Sequence, residues 1–270
     1  MPQGVRYGLG RAGGALWFRA SRAQARNAFE NYAAVLERSP DDPGVGRIAR
    51  RAFENYGRML VDFVLIGSVQ PDQLLERVGV RGRENLDAAL AAGNGCILAV
   101  PHMGAWDMGG AVAGVLGYRI FAVAERFPGS LDDAVVETRE RFGVRIIPLG
   151  RSAVRGVQDA LVSNGVVCLL CDLEQGPGGA EVEFFGRRAL VPAGPAAFSL
   201  KTGAALLPSY VYRAEAGHYQ VHLDPALDYR PTGDRKADIR ALMQMVVRRF
   251  EDFIRERPDQ WYAFRPMFRN

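Results

Sequence analysis

The sequence predicts an α/β fold, a largely parallel central sheet flanked by helices on both faces as an αβα sandwich, with extra helices at the N-terminus. Three observations predict it. Past Gly82, short apolar strands alternate with helical stretches, the pattern of right-handed crossovers in a parallel sheet. Before Gly82 the periodicity is helical only. No Gly/Ser linker or composition break divides the 270 residues, so the chain reads as one domain, 1–270, helical over about 1–80 and α/β over 81–270.

Apolar and small residues recur at helical spacing from Leu16 to Glu37, and Ser39-Pro40 closes that run. A second helix is expected from about Val45 to Ile66. The five residues Ala28 to Tyr32 recur as Ala52 to Tyr56, but nothing else keeps that period, so these are two similar helices rather than a repeat. Strands are expected at Cys96 to Val100, Ile120 to Ala124, Val144 to Leu149 and Val166 to Cys171. The intervals between them hold helical segments such as Leu131 to Arg141 and Val154 to Leu161. The last third predicts a strand at Glu181 to Phe185, a helix bounded by Pro192 and Pro195, and strands at Leu206 to Tyr212 and Tyr219 to Leu223. An amphipathic helix from about Lys236 to Glu256 closes the chain.

Composition narrows the class. Apolar residues are 48% and charged residues 24%, a balance that excludes a disordered chain. The longest apolar runs fall far short of the roughly 18 residues needed to cross a bilayer, and no secretory signal is visible, so a cytoplasmic protein is expected. Cys96, Cys168 and Cys171 lie in apolar runs and read as reduced structural residues. Cys168 and Cys171 have CxxC spacing without a second pair, and His218 and His222 lie four apart without a third ligand, so no metal is expected. The net charge of +4 is carried almost wholly by arginine, since Lys201 and Lys236 are the only lysines. Nucleic acid, anionic lipid and phosphorylated small molecules all fit that excess, and motifs must choose among them.

The segment Val100-Pro101-His102-Met103-Gly104-Ala105-Trp106-Asp107 puts a histidine at the carboxyl end of a buried strand, where ligands gather in such sheets. Asp107, one turn into the next helix, is placed to accept a hydrogen bond from one imidazole nitrogen and fix the tautomer. The other nitrogen is then free to take a proton from an acceptor hydroxyl. The bland alternative is a capping or core histidine with a satisfied hydrogen bond. Gly104, Gly109 and Gly110 leave room for a backbone or a chain of methylenes.

The His102 to Asp107 spacing resembles the HX4D signature of the glycerolipid acyltransferases. A fuller resemblance is to the branch of lipid A late acyltransferases and actinobacterial phosphatidylinositol mannoside acyltransferases. The blocks that carry it are His102 to Gly109 (HMGAWDMG), Ala124-Glu125-Arg126, Arg139 with Phe142-Gly143 and Ile147-Pro148-Leu149, Glu181 to Gly186 (EVEFFG), Val191 to Ala197 (VPAGPAA) and Thr202 to Pro208 (TGAALLP). The resemblance spans roughly Arg22 to Trp261. It implies His102 and Asp107 as the catalytic pair, with Glu125, Arg139 and Glu181 lining the site. Glu125, ending the strand expected beside that of His102, has a surface ion pair with Arg126 as its alternative. Arg139 could anchor a phosphate or pair with Asp132 or Glu140, and Glu183 shares the strand face of Glu181.

What the resemblance implies for function is fatty acyl transfer from a thioester to a hydroxyl of a lipid or glycolipid. The acyl donor is acyl-CoA, or acyl carrier protein as the alternative; no cofactor, metal or nucleic acid is involved. A mannosyl phosphoinositide is the first expected acceptor, with a lysophospholipid or a lipid A precursor next and a thioester hydrolase as the rival activity. The expected location is peripheral, at the cytoplasmic face of the plasma membrane on an anionic surface. Trp17 and Phe18, among Arg19, Arg22 and Arg26, could lie in that interface or pack in the core. The chain departs from lipid A enzymes in lacking a spanning helix, and from mannoside enzymes in a longer loop, Glu174 to Ala180. An acyl chain needs an apolar tunnel from His102, with Met108, Val112, Val115 and Phe184 or Phe185 as candidate lining.

Overall fold

The computed structural model describes residues 2–125, 130–173, 178–215 and 217–268. The first 77 residues form four helices: α1 (Gln3–Ala20), α2 (Arg22–Leu36), α3 (Pro43–Ile66) and α4 (Pro71–Arg77). Then follow β1 (Val78–Arg81), α5 (Arg83–Ala91), β2 (Cys96–Val100), α6 (Trp106–Val115), β3 (Ile120–Ala124), α7 (Ser130–Glu140), β4 (Val144–Pro148), α8 (Ala153–Val162) and β5 (Val166–Leu170). The last third holds β6 (Ala180–Phe184), β7 (Arg187–Val191), α9 (Gly194–Thr202), β8 (Ala205–Glu215), β9 (His218–Leu223), α10 (Arg235–Glu256) and a 3-10 turn, Pro258–Gln260.

Seven strands form one sheet in the order β1-β9-β8-β2-β5-β3-β4, while β6 and β7 pair as a separate antiparallel hairpin. All neighbours in the large sheet run parallel except β8 and β9, as the alternation of short strands and helices predicts. β2 is buried along its whole length near the centre of the sheet. Register puts Val80, Val221, Val211, Leu98, Cys168, Ala122 and Ile146 on one face, because partners in adjacent strands point the same way.

The expected helix from Leu16 to Glu37 is two helices, broken at Ser21, and α1 begins much earlier, at Gln3. Its glycines make this segment a poor helix on propensity, yet they let it cross α3 at close range. A Cβ on Gly10 would lie 2.6 Å from the Gly57 carbonyl oxygen, and one on Gly14 2.1 Å from that of Phe53. Packing against α3 therefore overrides propensity. α3 itself starts as predicted: Asp42 caps it by accepting from Gly44 N at 2.6 Å, with Pro43 in the first turn.

The C-terminal segment ties the N-terminal helices to the sheet. Asn31 Nδ2 donates to the carbonyls of Ala263 and Arg265, both at 2.8 Å, and the Tyr32 hydroxyl donates to the Trp261 carbonyl. On its other side the segment pairs with the loop after β2, through Tyr262 N to His102 O at 2.8 Å and Gly104 N to Gln260 O at 2.9 Å.

Candidate active site

The loop between β2 and α6 is held from two sides, and its glycine is obligatory. Gly104 has φ +61°, and a Cβ there would lie 1.9 Å from the Val211 carbonyl oxygen. A bridge between Met103 and Trp261 fixes the loop against the C-terminal segment. His102 thus sits on rigid backbone at the carboxyl end of β2.

The imidazole is oriented by a carboxylate, and that carboxylate is Asp172, just past β5. Asp172 Oδ1 lies 2.6 Å from His102 Nδ1 and accepts from His102 N at 3.0 Å; Oδ2 accepts from Trp261 Nε1 at 2.7 Å. Asp172 is fully buried, and these donors compensate the cost of placing its charge there. A carboxylate on Nδ1 favours the tautomer with the proton on that nitrogen and leaves Nε2 as a base. Nε2 has no hydrogen-bond partner among the described residues. The Trp106 ring packs edge-on against the imidazole, centroids 5.7 Å apart.

The sequence assigned the orienting hydrogen bond to Asp107, and the geometry corrects this. Asp107 makes no hydrogen bond to His102 among the described residues; its Oδ1 accepts from Arg139 Nε at 2.8 Å. The reason is position: Asp107 lies in the first turn of α6 and faces the last turn of α7, whereas β5 pairs directly with β2 and delivers Asp172 under the ring. Arg139 is thereby placed at the site, its guanidinium also 5.5 Å from the centroid of the Phe63 ring. Among the described residues it makes no ion pair with Glu140, which is exposed; the side chain of Asp132 lies outside them, as do Arg126 and residues 174–177.

Glu125 directly follows β3 and lines the same cavity as His102, but β5 intervenes between β3 and β2, so the two strands are not neighbours. Glu181 and Glu183 both face solvent from the β6–β7 hairpin, and neither lines the cavity. Alternation along β6 turns Val182 and Phe184 inward and both carboxylates outward.

That cavity, of about 900 Å³, runs between the sheet and α6. Leu98, Val100, Ala122, Cys168, Val211 and Val221 line it from the sheet face defined above. His102, Asp107, Glu125 and Arg139 line it near the carboxyl ends of β2 and β3; Arg83, Leu86 and Tyr118 line it near the opposite edge. Of the expected tunnel residues Val112 lines it, while Met108 and Val115 do not. Phe184 and Phe185 pack on Trp261 instead, at ring centroid distances of 5.8 Å each. Gly109 and Gly110 both border the cavity, and a Cβ on Gly109 would lie 2.6 Å from Val211 Cγ2.

Other sequence candidates fall elsewhere. Cys168 lies in β5 and Cys171 just past its end, and burial pushes the Cys168 thiol up to about 12. His222 is hydrogen-bonded to Asp224 at 3.1 Å, and His218 is exposed. Trp17 and Phe18 pack inward, Trp17 on Phe53, Tyr56 and Phe264, and Phe18 on Phe29 and Phe53. The large apolar side chains that α1 does expose are Val5, Leu9 and Leu16. No helix among the described residues is long and apolar enough to cross a membrane.

A histidine at a strand end, opening on a large apolar cavity, suits transfer of an apolar group. The chain belongs to the family of bacterial lipid A biosynthesis acyltransferases, whose model matches residues 1–270. It is an O-acyltransferase acting on lipid, moving acyl groups other than amino-acyl. Among its relatives is a phosphatidylinositol mannoside acyltransferase of Mycobacterium tuberculosis (strain ATCC 25618 / H37Rv), 35% identical over 225 residues, covering 80% of this chain and 69% of the relative. A protein of the same name from Mycolicibacterium smegmatis is 32% identical over 278 residues, covering 99% of this chain and 86% of the relative.

Proposed function

We propose that this acyltransferase moves a long acyl group from a thioester, acyl-CoA or acyl carrier protein, to a sugar hydroxyl of a mannosyl phosphoinositide, using His102 as general base. The observation that carries the chemistry is the 2.6 Å contact between His102 Nδ1 and the buried Asp172, beside the mouth of the apolar cavity. The acceptor class is supported by the names of the relatives. A lysophospholipid or a lipid A precursor is the next acceptor.

In the proposed reaction Nε2 takes the proton of the acceptor hydroxyl as its oxygen attacks the thioester carbonyl. The tetrahedral intermediate expels the thiolate, which takes the proton back from the imidazolium. An ester and a free thiol result, and the histidine returns to its starting state. Asp172 stabilises the imidazolium while it exists. Arg139, held by Asp107, supplies a positive charge at the site for a phosphate or a developing oxyanion. The chemistry asks for no metal or other cofactor.

The acyl chain occupies the cavity between α6 and the sheet, where each buried methylene contributes about 0.8 kcal/mol. Work at the cytoplasmic face of the plasma membrane suits the peripheral features of α1: Val5, Leu9 and Leu16 recur on one helical face beside exposed Arg11 and Arg19. The test is incubation with labelled palmitoyl-CoA and a panel of phosphatidylinositol mannosides, lysophospholipids and lipid A precursors. Label in the mannosides supports the reading. Label in another lipid replaces the acceptor, and free palmitate released at the same rate without any acceptor makes the protein a thioesterase.

A further inference from the structure

Beside His102 the cavity has a second arm that differs in chemistry from the tunnel under α6. Its wall is a chain of aromatic rings leading from α1 to the base. Trp17 and Tyr56 have centroids 5.5 Å apart, Tyr56 and Tyr262 5.2 Å, Tyr262 and Trp106 6.1 Å, and Trp106 and His102 5.7 Å. All five line the cavity. Polar groups converge on the same arm: Gln24 and Asn27 from one face of α2, and Arg265 from the C-terminal segment.

These polar groups are unspent. Asn27 Nδ2 donates to the Phe264 carbonyl at 3.1 Å, which leaves the amide oxygen without a partner among the described residues. The Gln24 side chain makes no hydrogen bond and Arg265 no ion pair among them. The sharpest sign is Tyr262: only 6% exposed, it lines the cavity, yet its hydroxyl has no hydrogen-bond partner among the described residues. Buried hydroxyls in folded proteins are bonded, so an orphan on a cavity wall points to something that fills the cavity.

We infer that this arm is the subsite for the acceptor's headgroup, a glycosyl group bearing a phosphate. Aromatic faces attract the C–H faces of a sugar ring, and side-chain amides and phenols match its alternating donors and acceptors. Gln24, Asn27 and Tyr262 bond the sugar hydroxyls, and Arg265, exposed at the outer end, takes the phosphate. The ring chain ends at His102, so the hydroxyl to be acylated arrives at Nε2 while the acyl chain lies under α6. Donor and acceptor thus approach the base along separate walls. This inference rests on the proposed glycolipid acceptor and adds which residues bind it.

Steady-state kinetics with palmitoyl-CoA and two acceptors, a phosphatidylinositol mannoside and an alkyl mannoside that lacks phosphate, test it. Wild-type transfer to either tests the acceptor class alone; labelling of neither overturns that class, whatever the variants do. Tyr262→Phe keeps the ring and removes the hydroxyl, and should raise the KM of both acceptors several-fold. Arg265→Gln, on an exposed side chain, should raise the KM of the phosphorylated acceptor about tenfold and leave that of the alkyl mannoside unmoved. The KM for palmitoyl-CoA should stay put in both variants. A rise in the palmitoyl-CoA KM with acceptor KM values unchanged would assign the arm to the donor's nucleotide. No change in any KM would reduce the arm to packing, and either result overturns the inference.

Discussion

Asp172 and His102, seventy residues apart in the chain, meet at 2.6 Å because β5 and β2 are parallel neighbours whose carboxyl ends coincide. Asp172→Asn tests what that contact does. The amide is isosteric, so the fold should survive, but it cannot stabilise an imidazolium and its NH₂ group favours the wrong tautomer. The rate kcat should fall roughly 10²- to 10⁴-fold with little change in KM. An unchanged kcat would return the orienting role to another group, Asp107 first.

Asp107 and Arg139 should behave as one unit. Their 2.8 Å pair is mostly buried, with side-chain exposures of 14% and 16% respectively. Removing one partner leaves the other charge uncompensated. Asp107→Ala and Arg139→Ala should each lower kcat/KM, and the double variant should be little worse than the worse single. Comparison of the three rates should give a coupling of about 1–3 kcal/mol. Strict additivity would show that the two side chains act independently.

Donor chain length should respond to Gly110. A Cβ there meets only Val144 Cγ2, at 3.6 Å, an ordinary contact, so a larger side chain has room to enter the cavity without displacing backbone. Gly110→Leu should shift the preferred acyl-CoA to a shorter chain while the best rate stays within a few-fold of the wild type, since the base is untouched. Each methylene displaced forfeits about 0.8 kcal/mol of binding. An unaltered chain-length profile would place the acyl group elsewhere.

Attachment to anionic vesicles should be reversible and partly apolar. Leu9 and Leu16 are 60% and 68% exposed on α1, and the chain carries a net charge of +4. Co-sedimentation should fall at high salt as the charges are screened, and further in a Leu9→Ser/Leu16→Ser variant. Binding insensitive to both changes would contradict a peripheral mode.

Much of the architecture was legible in the sequence because buried strands and crossover helices leave strong periodic signals, as from Cys96 to Val100 and Arg235 to Glu256. The elements missed had weak ones. β1 is four residues long and half-exposed, and the glycines of α1 concealed a helix that exists through its contact with α3. The candidate site was legible at His102 for a positional reason, the strand end, and the same reasoning applied to the end of β5 finds Asp172. Asp107 was credited with the orienting bond because sequence proximity is visible and strand adjacency is not: nothing in the local sequence says that β5 inserts between β2 and β3. The aromatic arm was hidden more deeply, since Trp17, Tyr56 and Tyr262 come from three distant segments that only tertiary packing brings together.

The central claim, that Nε2 of His102 removes the proton of the acceptor hydroxyl, is tested most directly by the rate of labelled palmitoyl transfer from palmitoyl-CoA to a phosphatidylinositol mannoside in wild type and His102→Ala. The side chain is 16% exposed at a strand end, so the variant should keep the wild-type melting temperature within a few degrees. Its transfer rate should fall roughly 10²- to 10⁴-fold. A folded variant that transfers at close to the wild-type rate would contradict the account.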